Sequence, residues 1–380
     1  MSDILIKRGL IITPDGIMNA DLLIENGKIA DIKRRARSSH AKVIDASGMY
    51  VSPGFIDTHV NGGGGREFME CDEEAFKTIL DFHLQHGTTG MLPTAVTAPL
   101  EQMRKFLELV NYFQSVHPAV LGAHLNGPFV SPRMAGAMDS RYIHSPSVQT
   151  FYDLVKGLEH TVKIVTLAPE EPGARELISA IAAIGAIPSL GHSNATYDET
   201  LRAVDWGVRH FTHFFNAMRG FHHREPGAVG AAWDMEGITL ELIADGRHVH
   251  EAAIRLLVKL KGPDNVLLVT DATKAAGLTD GKYSLGSTPI IVKNGVARTE
   301  SGIFAGSTLT MEKALANFQR FTRLDLAAAI RTVSLNPARL LGVEDVKGSI
   351  EVGKDADIVI FDSNFRIFYT LLQGDIVYKQ

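Results

Sequence analysis

The sequence predicts an α/β protein: a (β/α)8 barrel of the TIM type with a small β-sandwich domain formed from both chain ends. Eight short apolar runs, each ending in small or polar residues, recur along the middle of the chain. Helix-length segments separate these runs, and both chain ends are rich in β-forming residues with hairpin turns. A doubly wound open sheet is the alternative for the middle, but eight repeats favour a closed barrel.

The two ends predict a single β domain. ILIKRGLIIT, DLLIENGKIADI with the hairpin signal Asn26-Gly27, and KVIDASGMYVSPG are typical of strands near the N-terminus. GSIEVGKDADIVIFD and RIFYTLLQGDIVYKQ have the same pattern near the C-terminus. Neither end has enough strands to be stable alone, so residues 1–52 and 344–380 are predicted to pair beside a barrel of residues 53–343.

The barrel is predicted from its repeating units. Segments such as EEAFKTILDFHLQHG and GARELISAIAAIG carry apolar residues at helical spacing and end in glycine, which is typical of amphipathic helices. The predicted strands are GFIDTHVNG, TTGMLPTAV, AVLGAHLNG, VKIVTLAPE, AIPSLGHSN, VRHFTHFFN, ITLELIADG and NVLLVTDAT.

Composition narrows the range of partners and compartments. The 380 residues are 45% apolar and 21% charged, with a formal net charge of -5 and scattered lysine and arginine. This balance argues against nucleic acid or an acidic membrane as a partner. A single cysteine, Cys71, excludes an internal disulfide and fits a reducing cytoplasm. No signal peptide or membrane-length apolar run is present, so a cytoplasmic location is predicted.

The polar residues at the strand ends predict the site. Barrel enzymes build their active sites at the C-terminal ends of the strands. Imidazole and carboxylate groups converging there are typical of a catalytic transition-metal site. The residues at these ends are His59, Asn61, His124, Asn126, His192, His213, Asp245, His248 and Asp271.

Each of these residues also has a structural explanation. A single histidine in a strand is more often a core residue, but repetition at equivalent strand ends favours metal ligation for His192 and His213. Asp271, at the end of NVLLVTD, could cap the next helix. Beside a metal site, however, its expected role is general base.

The motifs also carry a family resemblance. PGFIDTHVNGGGG, HLNGPF, GHSNA, THFFNAM, HHREPG, ADGRHV, VTDA and FAGS resemble the signatures of the N-acetylglucosamine-6-phosphate deacetylases, members of the amidohydrolase superfamily. They occur in the family's order over almost the whole chain. One such motif would be weak support, whereas eight in order are highly specific.

The resemblance implies a metal-dependent deacetylase. His192 and His213 would be metal ligands, Asp271 the general base and acid, and His248 a substrate contact that polarises the acetamide carbonyl. The implied cofactor is a divalent metal ion, with zinc preferred over iron, cobalt or manganese. The implied substrate is an amino-sugar phosphate, and the implied assembly is a homodimer.

The resemblance extends to the substrate contacts. Arg224 would bind the sugar 6-phosphate from a neighbouring subunit, and a guanidinium suits a phosphate dianion. Its loop, MRGFHHREPG, also holds His223, and could otherwise be a solvated surface loop. Met138 stands where relatives often place a polar residue. The further predicted substrate contacts are Ala137, Asn216, Ala217, Phe304, Ala305 and Gly306.

Asn126 departs from the family pattern. The family motif is HLEGP with a metal-binding glutamate, whereas this chain reads HLNGP. A carboxamide offers an oxygen without negative charge, so metal affinity is expected to fall. His59 or His124 could replace the missing ligand. Rearranged ligands, a deliberate disabling substitution and a change of chemistry all remain possible explanations.

Two other functions are compatible with the sequence. One is another amidohydrolase reaction, such as deamination or hydrolysis of a cyclic amide, for which Arg224 would matter little. The other is a sugar-phosphate binding protein without catalysis, which would hold no tight stoichiometric metal. The site residues and the metal content therefore distinguish the three predictions.

Overall fold

The computed structural model describes residues 3–380. The strands are β1 (Ile4–Thr13), β2 (Gly16–Glu25), β3 (Lys28–Lys33), β4 (Lys42–Asp45), β5 (Tyr50–Pro53), β6 (Phe55–Val60), β7 (Gly62–Gly63), β8 (Arg66–Glu67), β9 (Thr88–Ala95), β10 (Ala123–Asn126), β11 (Val162–Leu167), β12 (Ile187–Leu190), β13 (His210–Phe211), β14 (Thr239–Leu242), β15 (Val266–Leu268), β16 (Gly281–Leu285), β17 (Thr288–Lys293), β18 (Val296–Thr299), β19 (Ile358–Phe361), β20 (Ile367–Leu372) and β21 (Asp375–Lys379).

Helices follow most of the barrel strands. They are α1 (Glu73–Gln85), α2 (Leu100–Val116), α3 (Val148–Val155), α4 (Ala174–Ala183), α5 (Tyr197–Trp206), α6 (Gly227–Asp234), α7 (Glu251–Lys261), α8 (Met311–Thr322), α9 (Leu326–Arg331) and α10 (Leu335–Leu340). Within residues 3–380, no helix combines the length and apolar character needed to cross a membrane.

Both chain ends form one β domain, as predicted. Its eight-stranded sheet runs β21-β20-β19-β5-β1-β2-β3, with β4 paired to β1. The two ends meet where β5 pairs antiparallel with β19, in the register Val51 to Ile360. Both side chains are fully buried in a core of their own, which also includes Ile6 and Leu371. The exact boundaries predicted between this β domain and the barrel stay a prediction.

The middle of the chain is a parallel barrel. Its sheet runs β6-β9-β10-β11-β12-β13-β14-β15, so all eight predicted barrel strands are confirmed. Closure comes from a parallel bridge between Val60 and Ala272, just beyond β15, and from the Asp271 N–H donating to the His59 carbonyl at 2.9 Å. Because the strands are parallel, their C-terminal ends open on one mouth.

Local sequence explains how the helices begin and pack. The Asp72 side chain accepts a hydrogen bond from the Ala75 N–H and caps α1, which satisfies a backbone donor at the helix start. The helix then buries Phe76, Ile79 and Leu80 against the barrel. This apolar stripe at three- and four-residue spacing is the pattern that predicted the helix.

The GGGG segment packs closely and keeps its N–H groups within the protein. The N–H groups of Gly62, Gly64 and Gly65 donate to carbonyls of residues 272, 276 and 274. A Cβ at Gly63 would lie 2.5 Å from the Phe82 ring, so glycine is required for this approach. The segment therefore supports the barrel rim.

A three-stranded antiparallel sheet projects over the mouth and was not predicted. Strands β16, β17 and β18 lie between the last barrel strand and α8. Ile290, Val292 and Ala297 bury one face of this sheet. The Glu67 carboxylate accepts from the Gly286 N–H at 3.1 Å, which fixes the sheet to the barrel rim. We refer to residues 281–304 as the flap.

Candidate active site

A cavity of about 380 Å³ opens at the C-terminal ends of the barrel strands. Its floor is made by strand-end residues, and its outer wall by the flap and by the loop 131–147. Most of the predicted site residues line it: Asn126, Ala137, Met138, His192, His213, Asn216, Ala217, His248, Asp271, Phe304 and Gly306.

Six predicted site residues do not line this cavity; two of them, His124 and Asp245, contact other residues of the site and are described below. His59 is fully buried directly beneath the floor, and Ala305 is fully buried. His223 and Arg224 lie on an exposed loop, where Arg224 Nη1 is 2.9 Å from Nε2 of His223. A role for that loop at the cavity of the same chain is therefore not supported by its position.

Three of the predicted metal-binding and catalytic residues have a strained backbone conformation. His192, His213 and Asp271 have φ values of 47°, 31° and 47°, in the left-handed region that side chains other than glycine rarely adopt. Such strain costs about 1–3 kcal/mol per residue and persists only where the surrounding fold enforces it. Each strand ends in a turn that aims its side chain at the cavity.

His192 and His213 form a close imidazole pair. Their Nε2 atoms are 3.0 Å apart, and the rings meet edge to face. The Met134 carbonyl lies 2.8 Å from Nδ1 of His192 and accepts its hydrogen bond, so the Nε2 of this ring carries a lone pair. Either His213 donates to that lone pair or both rings direct lone pairs at one cation.

Both rings of the pair are neutral at pH 7. Burial lowers the pKa of His192 to about 4. Burial, followed by the nearby His192 and His59 rings, lowers the pKa of His213 well below its usual value. Neutral imidazole is the form that binds a metal ion, so the pair is prepared for ligation.

The floor offers a further oxygen at Asn126. This side chain is buried, and its Oδ1 has no hydrogen-bond partner among residues 3–380. Two imidazole nitrogens and one carboxamide oxygen are a donor set that fits a divalent transition-metal ion. The set carries no negative charge, because Asn126 stands at the position where the family resemblance implies glutamate.

Asp271 stands beside these donors. Asn61 Nδ2 donates to its Oδ1 at 2.6 Å, and His59 Nε2 lies 3.4 Å from the same oxygen. Burial raises the pKa of the Asp271 carboxyl, despite opposing effects of His59, His248 and Asn61. A Cβ at Gly306 would lie 2.8 Å from the Asp271 carbonyl, so glycine lets the chain just beyond the flap pack against this carbonyl.

His248 also lines the cavity. Its Nδ1 lies 2.7 Å from Oδ2 of Asp245, which therefore accepts a hydrogen bond and fixes the ring. Its Nε2 is buried and has no partner among the described residues. Burial works to raise the pKa of Asp245, but the bond and charge of His248 outweigh it and lower that pKa. Nε2 of His248 is thus presented to a ligand.

A buried network lies beneath the floor. Ligand atoms of His59, His124 and Glu241 lie within 4.8 Å of one another, a spacing that could hold a metal ion. Both nitrogens of His124 are already engaged, with the Thr58 carbonyl at 2.9 Å and Thr166 Oγ1 at 2.8 Å. His124 is consequently not free to serve as a ligand at the cavity.

Charges within this network are strongly coupled. Burial works to lower the pKa of His59, but the carboxylates of Asp271 and Glu241 outweigh it and raise that pKa to about 9. Burial works to raise the pKa of Glu241, but His59 and His210 outweigh it and hold that pKa well below its usual value. In the absence of a cation, His59 and Glu241 form a buried ion pair.

Sequence reasoning missed several cavity residues. Arg133 lines the cavity and makes no ion pair among the described residues. Its signal was a basic residue in SPRMAGAMDS, immediately before the predicted contacts. The flap contributes Leu285 and Ile303 to the cavity lining. Neither residue could be predicted from the sequence, because the flap that carries them was not predicted.

Comparison with known proteins gives consistent matches. A model of the amidohydrolase family matches residues 50–378. The N-acetylglucosamine-6-phosphate deacetylase of Lysinibacillus sphaericus is 35% identical over 359 residues, which cover 94% of this chain and 92% of that protein. The N-acetylgalactosamine-6-phosphate deacetylase of Escherichia coli O157:H7 is 36% identical over 379 residues, covering 99% of each.

Solved structures agree over the full length. An N-acetylglucosamine-6-phosphate deacetylase from Pasteurella multocida superposes with a TM-score of 0.95 at 30% identity, covering 100% of both chains. A mutant of the Mycobacterium smegmatis enzyme, in complex with N-acetyl-D-glucosamine-6-phosphate, gives a TM-score of 0.94 at 32% identity with the same coverage.

Proposed function

This chain belongs to the amidohydrolase family and, within it, to the N-acetylglucosamine-6-phosphate deacetylases, and on that premise we propose that it hydrolyses the acetamide of an N-acetylhexosamine 6-phosphate to acetate and a free amine. The observation that carries the proposal is the meeting of the His192 and His213 pair with Asp271 in one cavity. We prefer the gluco-configured sugar as substrate.

Asp271 supplies the proton transfers. Its contacts with Asn61 and His59 are made by Oδ1, so Oδ2 is left for a water molecule in the cavity. As general base it takes a proton from the attacking water, and as general acid it returns that proton to the leaving nitrogen. Burial raises the pKa of Asp271, which makes its carboxylate a stronger base toward water and brings its protonated form closer to neutral pH.

His248 orients the acetamide. Asp245 holds its ring from Nδ1, and the free Nε2 points into the cavity. We assign Nε2 to the acetamide oxygen, where negative charge develops during attack. The Phe304 ring packs 4.5 Å from the His248 ring, centroid to centroid, and covers this contact from solvent.

The residues that would hold a divalent metal ion are His192, His213 and Asn126. Bound there, such an ion would act as a Lewis acid on the carbonyl and lower the pKa of water. We prefer zinc, because imidazole ligands in a barrel mouth suit it, and iron, cobalt or manganese fit the same donors.

The 6-phosphate requires cationic partners. Arg133 lines the cavity of its own chain. Arg224 is exposed on a loop that follows a metal-site strand, and Phe221 on the same loop is 54% exposed. We propose a homodimer in which Arg224 of each subunit reaches the phosphate held by the other. The single half-buried cysteine, Cys71, fits a cytoplasmic setting.

Product analysis tests the proposal. Purified protein loaded with zinc is given N-acetylglucosamine 6-phosphate, and acetate and primary amine are measured together. Equal release of both supports deacetylation, and no release from fully loaded protein contradicts it. N-acetylgalactosamine 6-phosphate is the second candidate substrate, favoured by the similarity to the E. coli O157:H7 protein. The two sugars are compared by kcat/KM.

A further inference from the structure

Glu241 lies at the centre of the buried network and has no role in the proposed reaction. It is fully buried on β14, among residues that otherwise form an apolar strand. A buried carboxylate is costly unless several donors satisfy it. Glu241 has four: its Oε1 accepts from Thr58 Oγ1 at 3.0 Å and meets His210 Nε2 at 3.3 Å, and its Oε2 meets His59 and His213.

The contact with His59 sets the direction of that ring. Nδ1 of His59 lies 3.0 Å from Oε2 of Glu241, so Nδ1 carries the proton of this bond. Nε2 therefore points the other way, toward the cavity floor, where it lies 3.4 Å from Asn126 Nδ2 and 3.4 Å from Asp271 Oδ1. The His59 ring centroid is 5.5 Å from that of His213.

The same carboxylate also holds one of the paired imidazoles. The backbone N–H of His213 donates to Oε2 of Glu241 at 3.1 Å. His213 has the strained φ of 31°, and this hydrogen bond helps to hold that conformation. One buried oxygen thus positions both His59 and His213.

We propose that Glu241 is the positioning residue of the metal site and that, through it, His59 supplies the ligand that Asn126 provides only weakly. A metal-binding histidine commonly donates its second ring N–H to a carboxylate, and the Glu241 and His59 pair has this arrangement. The carboxylate that the family places at position 126 is then replaced by one lying behind an imidazole. The inference rests on the proposed function only for the presence of a divalent ion.

Other buried groups near the floor do not fit this role. Both nitrogens of His124 bind within the protein. Asp57 is fully buried, and its carboxylate accepts from Thr270 Oγ1 at 2.6 Å and from the His59 N–H at 3.2 Å. His59 is the group whose remaining nitrogen faces two cavity residues.

Metal affinity of the variant Glu241→Gln tests the inference. Protein stripped with a chelator is titrated with Zn²⁺ against a chromophoric competitor. We expect the dissociation constant to rise about 10- to 100-fold, the usual effect of losing a partner behind a metal ligand. Glu312→Gln is the matched control, because Glu312 is also a mostly buried partner of a histidine, His86, at 3.0 Å, and neither lines the cavity.

Rescue distinguishes positioning from a merely structural role. Adding Asn126→Glu to Glu241→Gln restores a carboxylate at the floor, so we expect most of the lost affinity to return. The absorption spectrum of bound Co²⁺ is expected to change in His59→Gln, because a nitrogen donor is removed. If Glu241→Gln does not fold, as judged by circular dichroism, His59→Gln decides the question by its Zn²⁺ affinity.

Two results would overturn the inference. One is a Zn²⁺ affinity in folded Glu241→Gln equal to that of Glu312→Gln. The other is an unchanged affinity and Co²⁺ spectrum in His59→Gln. These measurements are independent of turnover, whereas failure of the proposed function would appear as fully loaded parent protein that releases no acetate.

Discussion

Asn61 donates a hydrogen bond of 2.6 Å from Nδ2 to Oδ1 of Asp271, and this bond gives the two oxygens of the carboxylate different roles. Oδ1 is held by the protein, while Oδ2 is left to the cavity. Asn61 directly follows the first barrel strand and Asp271 follows the last, so the bond also lies at the seam where the barrel closes. The contact that orients the proposed base therefore lies beside the backbone hydrogen bond from Asp271 to His59 that closes the barrel.

Replacing the proposed base removes the proton transfers but not the metal ligands. In Asp271→Asn the amide oxygen still accepts from Asn61, so folding and Zn²⁺ affinity are expected to be largely retained. We expect kcat to fall by about 10²- to 10⁴-fold, the usual contribution of a general base. Steady-state acetate release and a Zn²⁺ titration measure the two effects. A variant with parental kcat would exclude Asp271 as the base.

Restoring the family's carboxylate strengthens metal binding. Asn126→Glu adds a negative charge and a better ligand at the floor, so we expect Zn²⁺ to bind at least about tenfold more tightly. Competition against a chelator measures the affinity, and acetate release is followed on the same samples. Asn126→Gln is the control, since it matches the size of glutamate without its charge. Equal affinities in the two variants would contradict the prediction.

Removing Arg224 tests whether phosphate is recognised across a subunit interface. A hydrogen bond to a charged group contributes about 1.5–3 kcal/mol, so Arg224→Ala is expected to raise KM for the phosphorylated sugar about 10- to 100-fold. KM for the unphosphorylated sugar should not change. Arg133→Ala shows whether the arginine of the same chain shares the load. An unchanged KM in Arg224→Ala would favour another amidohydrolase substrate.

Acid stability isolates one buried histidine away from the site. Burial lowers the pKa of His83 to about 4, while the unfolded chain titrates near 6.5. Between these values the unfolded state binds an extra proton, so stability is lost as pH falls through this range. The free energy of unfolding of the parent should fall more steeply than that of His83→Gln, by up to about 1.4 kcal/mol per pH unit.

Urea unfolding at pH 7.5, 6.5, 5.5 and 4.5, with a chelator present, measures these two slopes. Nε2 of His83 lies 3.0 Å from the Gly62 carbonyl, and a glutamine amide offers a similar donor. His83→Gln is therefore expected to fold, with lower stability at neutral pH. Parallel slopes for parent and variant below pH 6.5 would show that His83 is not held neutral.

The barrel strands were predictable because each combines a buried apolar run with a polar terminus. HLN, GHS and VTD each lie at the end of a predicted strand, so the strand pattern was enough to predict that their residues meet at one mouth of the barrel. Pairing of the two chain ends was predictable for a different reason: neither had enough strands to bury a core by itself. These features depend on local pattern and on counting.

Residues placed by long-range packing were not predictable in this way. The flap strands are short and partly exposed, with alternation too brief to distinguish from loop. Glu241 lies inside ITLELIADG, an otherwise apolar strand. Strands of a parallel sheet are buried on both faces, so a charged residue within one was the available cue. Its partners His210 and His213 come from the preceding strand and the turn after it, whereas His59 is 182 residues away in sequence, and only the fold brings the three together.

The flap and the loop 131–147 have an evolutionary consequence. The groups proposed to hydrolyse the acetamide bond lie at the ends of barrel strands. Met138, Ile303 and Phe304 lie instead on the segments that connect barrel strands and helices. Mutations in those segments can reshape the recess that receives the sugar while the reacting groups keep their positions. The preference for one sugar over another can therefore change through single substitutions in these segments, and each intermediate variant keeps its catalytic residues.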